Sequence, residues 1–568
     1  MKLSDYIVKM FLDLGIDIVF GYIGGNIADI IDSICESSSI RFIQSYNEQA
    51  SAFAANAYAQ LSGRTSVVIS SSGPGALNLI NGIANAYFDS IPCVFITGNV
   101  HSLGRRNSNK IRQNAFQETD IVEIVKSITK YSVYISDADE IKYQLEKGFY
   151  IAGSGRKGPV LIDIPYDIQR KQINVNELKG YKKQNMCKKD FDIESIRMAL
   201  INSHRPLLLV GGGCQDSKNI LREMLKTVKI PVVVSMRGLD VISHQDISYI
   251  GLIGMYGNRL ANLAVLNCDL LIVLGSRLDE RQMGYDRTAF APCAHIIQID
   301  IDKNELGRKT DNFISICSDV GDFLRMLSQK LPAYACDMWF EFLNEWKKNE
   351  NLEYKDRKEV CANKILEQIS EMFNENAVIV SDVGQNQIVC AQSLLLKSTN
   401  AFLCSSGLAC MGYSLPASIG AQYVSLNRQI ISINGDGGIM MNLQELQTIK
   451  REKLPIKIII LNNKCLGLIR KLQEKLFNQR YYASIEGYLA ADFSKIATAF
   501  DFDYLKIDTN FDSGQISKLL GNKNPVIIEI QLPYMISTML EPGENIYTQY
   551  PLLADDEIEN FRKQLEKI

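Results

Sequence analysis

Histidine is scarce in this chain, paired cysteines are missing, and neither sign of charge dominates. Only four histidines occur in 568 residues (His101, His204, His244 and His295), and no two are adjacent. Thirteen cysteines are scattered without a Cys-x-x-Cys pair. Several, such as Cys93, Cys268 and Cys390, lie in apolar stretches. They read as reduced thiols used as small hydrophobes rather than as a disulfide framework. A net charge of −3, from 61 basic and 64 acidic residues, gives no electrostatic case for nucleic acid or an anionic membrane as partner. No apolar run approaches the roughly 18–20 residues of a membrane span. The amphipathic start, Met1 to Met10, lacks the apolar segment and cleavage site of a signal peptide. A cytoplasmic location is the expectation.

What is present is ordinary in bulk and organised in blocks. Hydrophobic residues make up 46% and charged residues 22%, as in globular proteins, and the length exceeds one core. Apolar strands alternate with helical patterns throughout, which predicts α/β architecture with three doubly wound parallel-sheet domains. The expected boundaries are 1–175, 190–340 and 360–545, with a tail over 546–568. A lysine-rich stretch, including Lys182-Lys183 and Lys188-Lys189, reads as a linker. A polar, charged helix from about Trp339 to Arg357 is expected to lead into the third block.

The chemistry is concentrated in the third block. Gly435-Asp436-Gly437 is followed, after 24 intervening residues, by Asn462-Asn463. A carboxylate and a carboxamide are hard oxygen ligands suited to Mg²⁺, and the glycines let backbone amides approach a phosphate. Gln429–Asn434 and Ile456–Leu461 read as buried strands and Met440–Arg451 as a helix. The motif would then lie at carboxyl ends of parallel strands, where open sheets bind ligands.

These motifs resemble the diphosphate-binding segment of thiamine diphosphate (ThDP) enzymes. Over about residues 1–540 the chain is similar to the acetolactate synthase large-subunit family. The resemblance implies a pyrimidine domain, a central FAD-type domain and a diphosphate domain. It implies ThDP and Mg²⁺ as cofactors, with Asp436, Asn463 and the backbone carbonyl of Cys465 holding the metal, and Gly435 and Gly437 beside the diphosphate. Gly384 and Gln385, in Asp382-Val-Gly-Gln-Asn386, match a second diphosphate-contacting strand end. Glu48, in a helix rich in small residues, matches the glutamate that hydrogen-bonds N1′ of the cofactor pyrimidine, so that the 4′-nitrogen can take the proton from C2. Met411 matches the apolar residue that bends the cofactor, and Ala409, where the family often has Gly, supplies a carbonyl to the 4′-amine. Gly24 and Gly25 match a loop that closes on the cofactor from a partner copy. Phe116 and Gln117 match an element flanking the substrate.

In the central block the resemblance implies FAD in a structural role. Arg156 and Arg277 would meet phosphate, Gly212 and Gly213 would admit the dinucleotide, and Asp300 and Asp319 would lie near its adenosine end. Arg281 matches the arginine that grips the second 2-keto acid's carboxylate. Tyr256, Glu280 and Asn386 replace residues usual in the family, and Leu472 stands where Trp is usual, leaving a differently shaped acceptor pocket. The missing His-His pair, which related decarboxylases use to protonate their product, favours carbon–carbon ligation. The expected reaction is decarboxylation of pyruvate and joining of its two-carbon unit to a second 2-keto acid, giving 2-acetolactate, as in branched-chain amino acid biosynthesis. Transfer to a keto-sugar nucleotide and a ThDP/FAD pyruvate oxidase are the alternatives. A homodimer or homotetramer is expected, with room for a small regulatory subunit.

Overall fold

The computed structural model describes residues 1–106, 110–183, 191–307, 313–331, 333–349, 352 and 361–568. Three six-stranded, wholly parallel sheets carry the chain. The first is built from β1 (Ile18–Gly21), β2 (Arg41–Gln44), β3 (Ser66–Ser70), β4 (Cys93–Asn99), β5 (Tyr131–Tyr134) and β6 (Val160–Pro165), in the order 2-1-3-4-6-5. The second contains β7 (Pro206–Val210), β8 (Val232–Val234), β9 (Tyr249–Leu252), β10 (Leu270–Leu274), β11 (His295–Asp300) and β12 (Phe313–Cys317), in the order 9-8-7-10-11-12. The third contains β13 (Val378–Ser381), β14 (Ala401–Cys404), β15 (Ile430–Gly435), β16 (Lys457–Asn462), β17 (Asp503–Ile507) and β18 (Val526–Gln531), in the order 14-13-15-16-18-17.

Helices cover both faces of each sheet, so central strands such as β3, β7 and β16 are buried along their whole length and read as near-continuous Val, Ile and Leu. The expected α/β class with three doubly wound sheets is what the chain adopts. Counted within each block, the first and third sheets share one strand order. The central sheet instead follows 3-2-1-4-5-6, the order of dinucleotide-binding folds.

The first and third blocks meet through helices Glu48–Ser62 and Ser414–Val424. The small residues of the first helix make this approach possible: a Cβ placed on Gly420 would lie 1.8 Å from the Ala54 carbonyl oxygen. The expected polar connector helix is otherwise. Helix Asp337–Trp346 buries Trp339, Phe340, Phe342, Leu343 and Trp346, so its charges form only its outer face, and residues 353–357 lie outside the described residues. Of the lysine-rich stretch, residues 184–190 also lie outside them. The C-terminal segment closes the same core: Phe561, on helix Asp555–Leu565, packs against Phe342 and Trp346 at ring separations of 5.1 and 5.0 Å. Among the described residues no helix is long and apolar enough to cross a membrane.

Candidate functional site

The Asp436 carboxylate is buried in the loop that leaves β15, with the Tyr488 hydroxyl donating to it at 3.1 Å. Burial pushes its pKa up to about 6. A carboxylate held out of water with a neutral donor is poorly compensated, and a cation there would relieve it. Asn463 follows the neighbouring strand β16, and the ladder pairs Gly435 with Leu461. Its carboxamide makes two long contacts of 3.4 Å, to Gln385 Oε1 and from the Cys465 N–H. Gly437 lies close under Leu466 and Tyr488, where a Cβ would stand 2.9 and 3.1 Å from their side chains. Oxygen donors on two adjacent strand ends, beside tightly packed glycines, fit Mg²⁺ and a phosphate. Among the described residues no group of three or more His, Cys, Asp or Glu could form a softer metal centre.

The loop carrying Ala409 and Met411, between β14 and helix Ser414–Val424, is fixed to this bed by Asp382. Its fully buried carboxylate accepts from the N–H groups of Val383, Gly412 and Tyr413 at 2.8–3.1 Å, and burial raises its pKa to about 7. The motif containing Asp382 is legible in the sequence, but this role is not, because it depends on a loop thirty residues away. Gln385 opens helix Gln385–Ser393 after Gly384, and its amide donates to the Ile536 carbonyl at 3.0 Å. Ala409 has φ +59°. Replacing Gly by Ala there leaves the carbonyl in place and adds a backbone cost of about 1 kcal/mol, which the sequence alone does not reveal.

Glu48 opens the helix Glu48–Ser62, whose N-terminus is capped by Asn47 on the Gln49 N–H at 2.8 Å. The half-buried carboxylate accepts from Asn78 Nδ2 at 2.9 Å. Two residues earlier the Tyr46 N–H donates to Glu445, a buried acid of the third block whose pKa burial raises to about 7. Among the described residues, Glu48 and Asp436 share no hydrogen-bond partner. Gly24 and Gly25 lie in the turn after β1, beside Asn26, which donates to Ser72 at 2.6 Å. Phe116 is 85% exposed, and Gln117 holds φ +63°. One chain therefore leaves the Glu48 carboxylate and the Phe116 ring partly uncovered.

The central sheet supplies a cavity of about 470 Å³ at the switch between β7 and β10, walled also by the first and third blocks. Arg156, Gly212, Gly213, Arg277, Asp300 and Asp319 all line it. Their charges are already engaged. Arg156 pairs with Asp302 and Glu305 at 3.1 and 2.7 Å, and Arg277 with Asp279 at 2.8 Å. Asp319 caps helix Val320–Lys330. Asp300 accepts from the Asp302 N–H at 2.9 Å, and burial raises its pKa. The triple glycine has a packing reason of its own, since a Cβ on Gly211 would meet the Gly275 carbonyl at 2.3 Å. Size, strand order and position fit a dinucleotide such as FAD. Arg281 lies exposed at the edge, near Tyr256. Leu472, on helix Gly467–Leu476, is 46% exposed.

Sequence reasoning missed the joint behind this cavity. Arg237, just beyond β8, donates to Gln60 Oε1 at 2.5 Å and lies 3.8 Å from Asp89, whose carboxylate accepts from the Ser406 and Gly407 N–H groups. The wall thus ties all three blocks together and reaches the base of the loop that carries Ala409 and Met411. The signal available was an arginine after a buried strand at the ligand-binding edge.

Comparison with known proteins agrees with this geometry. Residues 1–124 match the thiamine pyrophosphate enzyme N-terminal TPP binding domain, 193–327 the central domain, and 382–530 the C-terminal TPP binding domain. The acetolactate synthase isozyme 2 large subunit of Escherichia coli (strain K12) is 34% identical, covering 97% of this chain and 98% of that protein. The chloroplastic acetolactate synthase of Arabidopsis thaliana is 37% identical over 84% of this chain and 72% of its own. The acetolactate synthase large subunit of Cyanidium caldarium is 34% identical over 99% and 97%. With three TPP-enzyme domains in order and similarity running end to end, the chain belongs to the acetolactate synthase large-subunit family of thiamine pyrophosphate enzymes.

Proposed function

We propose that this chain decarboxylates pyruvate and joins the two-carbon unit to a second 2-keto acid, giving 2-acetolactate. The observation that carries the reading is the buried, undercompensated Asp436 beside Asn463 on adjacent strand ends, in a chain that also presents Glu48 from a TPP-binding domain. Bound ThDP supplies the carbon nucleophile and the electron sink for loss of CO₂. Asp436, Asn463 and the Cys465 carbonyl would hold Mg²⁺ and, through it, the diphosphate. Gly435, Gly437, Gly384 and Gln385 would bring the backbone and one amide up to the phosphates. Glu48 would hold a proton at the pyrimidine N1′, and Met411 with the Ala409 carbonyl would fix the cofactor's bend. Phe116 and Gln117 would shut water from the reacting carbon, and Arg281 would take the acceptor carboxylate. FAD would fill the central cavity as a structural element, against Arg156, Gly212, Gly213, Arg277, Asp300 and Asp319.

Among the described residues Glu48 and Asp436 share no hydrogen-bond partner, and the complete site would form between two copies in a homodimer or homotetramer. Several relatives are named large subunits, and a small regulatory subunit is a further expected partner. Incubation with pyruvate, ThDP and Mg²⁺ should yield acetolactate by mass spectrometry. Hydrogen peroxide instead, or CO₂ release only after a keto-sugar nucleotide is added, would overturn the reading. Flavin absorbance in the purified protein tests the cavity's occupant, and an active monomer in size-exclusion chromatography would refute the shared site.

A further inference from the structure

Two buried carboxylates outside the proposed cofactor contacts occupy matching places in the first and third sheets. Asp163 is the fourth residue of β6 and Glu529 the fourth of β18, and each strand holds the same place in its sheet. In the parallel register Asp163 faces Thr97 of β4, with Asn99 two residues further on. Glu529 faces Ile460 of β16, with Asn462 two residues further on. Asn99 Nδ2 donates to Asp163 at 2.5 Å, and Asn462 Nδ2 donates to Glu529 at 2.7 Å. Each asparagine's Oδ1 accepts an N–H from the loop that follows, from Val100 at 2.8 Å and from Lys464 at 3.1 Å. The remaining donors are neutral: the Thr97 hydroxyl at 2.7 Å on Asp163, and the Tyr504 hydroxyl and Gln531 amide on Glu529. Among the described residues neither acid forms an ion pair. Burying a carboxyl group among Ile and Val on such terms costs free energy that an apolar side chain would not.

The two arrangements share an output. Asn462 orients the turn that presents Asn463. Asn99 has a second amide hydrogen, which goes to the Thr119 carbonyl at 3.3 Å, directly after Phe116, Gln117 and Glu118. That loop is knitted internally, because the Glu118 carboxylate collects the N–H groups of Arg106, Asn114 and Ala115 at 2.7–3.3 Å. Its attachment at Thr119, with the Arg105–Asp120 pair at 3.3 Å, therefore decides where Phe116 and Gln117 stand.

We propose that Asp163 and Glu529 are positioning residues of one repeated device, an acid–asparagine clasp. Glu529 sets the Asn463 turn, and Asp163, acting through Asn99, sets the Phe116–Gln117 loop against the 2-keto acid. The second half rests on the proposed role of that loop, so the test pairs turnover with a measurement that needs none.

The full-length protein would be prepared as Asp163→Ala, Asp163→Asn, Asn99→Ala and the double Asn99→Ala/Asp163→Ala variant. Hydrogen–deuterium exchange would be followed over residues 110–120, with KM and kcat for pyruvate and the affinity for ThDP with Mg²⁺. Asp163→Ala and Asn99→Ala should each speed exchange at Ala115–Thr119. Each should raise KM or lower kcat/KM by about 10–100-fold with ThDP affinity within about twofold. The double variant should be no worse than either single one. Asp163→Asn can accept from Asn99 and donate to Thr97, and should stay within about threefold of wild type. Unchanged exchange in Asp163→Ala, additive losses in the double variant, or ThDP affinity lost in parallel would overturn the proposal. If Asp163→Ala does not fold, wild-type exchange in Asn99→Ala overturns it alone. Loosened exchange in a protein that never turns over pyruvate would sink the functional reading and spare the clasp.

Discussion

The first and third sheets share one strand order and one buried acid–asparagine pairing, yet the proposed site draws different groups from their loops. At the end of its third strand, β15, the third sheet presents an acid, Asp436, and holds it in the dry. At the end of β3, the equivalent strand, the first sheet presents Ser71-Ser72-Gly73, and its acid, Glu48, comes instead from the helix after β2. The framework is common and the ligand chemistry is confined to the segments that leave it. One block reads as the anchor for metal and phosphate, the other as the source of a proton. Complementary halves on a repeated scaffold fit the proposed site, which draws on two surfaces.

The comparison breaks most visibly at Glu48. Glu48→Gln should lower acetolactate formation by about 10²–10⁴-fold with an unchanged circular dichroism spectrum. Retained turnover would show that the first sheet does not supply the proton site. On the other side, Glu529→Gln should weaken Mg²⁺-dependent ThDP binding by about 10–100-fold, measured by titration calorimetry, because a second donor would face Asn462, Tyr504 or Gln531. The same variant should leave exchange over residues 110–120 alone, and Asp163→Ala should leave the Mg²⁺ affinity alone. A crosswise effect would mean that the two clasps are not independent.

Gly420→Ala forces the two blocks apart at their contact and should cost about 1–3 kcal/mol in urea unfolding, with the lost stability as the readout. The smallest effect is on pH. Burial raises the Asp163 pKa from 3.8 to about 7 in the folded chain, among Thr97, Asn99, Tyr134, Arg105 and Asp120. The folded state therefore holds a proton that the unfolded state has lost, and stability falls as pH rises from about 4 to about 7. Asp163→Asn should flatten that part of the profile. Identical wild-type and variant slopes would show that the group does not titrate in this range.

Much of this was legible in the residues themselves. Apolar strands bounded by glycine-rich turns gave three doubly wound sheets, because strands buried on both faces need a continuous hydrophobic run. Gly435-Asp436-Gly437 and Asn463 could be read as neighbours because short-range strand–loop geometry fixes them. Asp163, Asp382, Asp89 and Arg237 could not, because each acts on a partner distant in sequence. An isolated Asp inside Val-Leu-Ile-Asp-Ile-Pro carries no local sign of whether it meets water or an amide. The central helix was misread as polar for a related reason: its charges are plain in the sequence, while the burial of Trp339 and Trp346 depends on a segment two hundred residues later.

That dependence bears on how the molecule is made. Arg259, buried in the central block, donates to the carbonyls of Leu352, Gln549 and Pro551, and Asn262 donates to that of Ile546. With Phe561 they close a core whose strands were translated long before. The core of the central block is therefore complete only once residues 546–561 are in place. Removing residues 546–568 should then leave an otherwise intact chain with a gap in its middle.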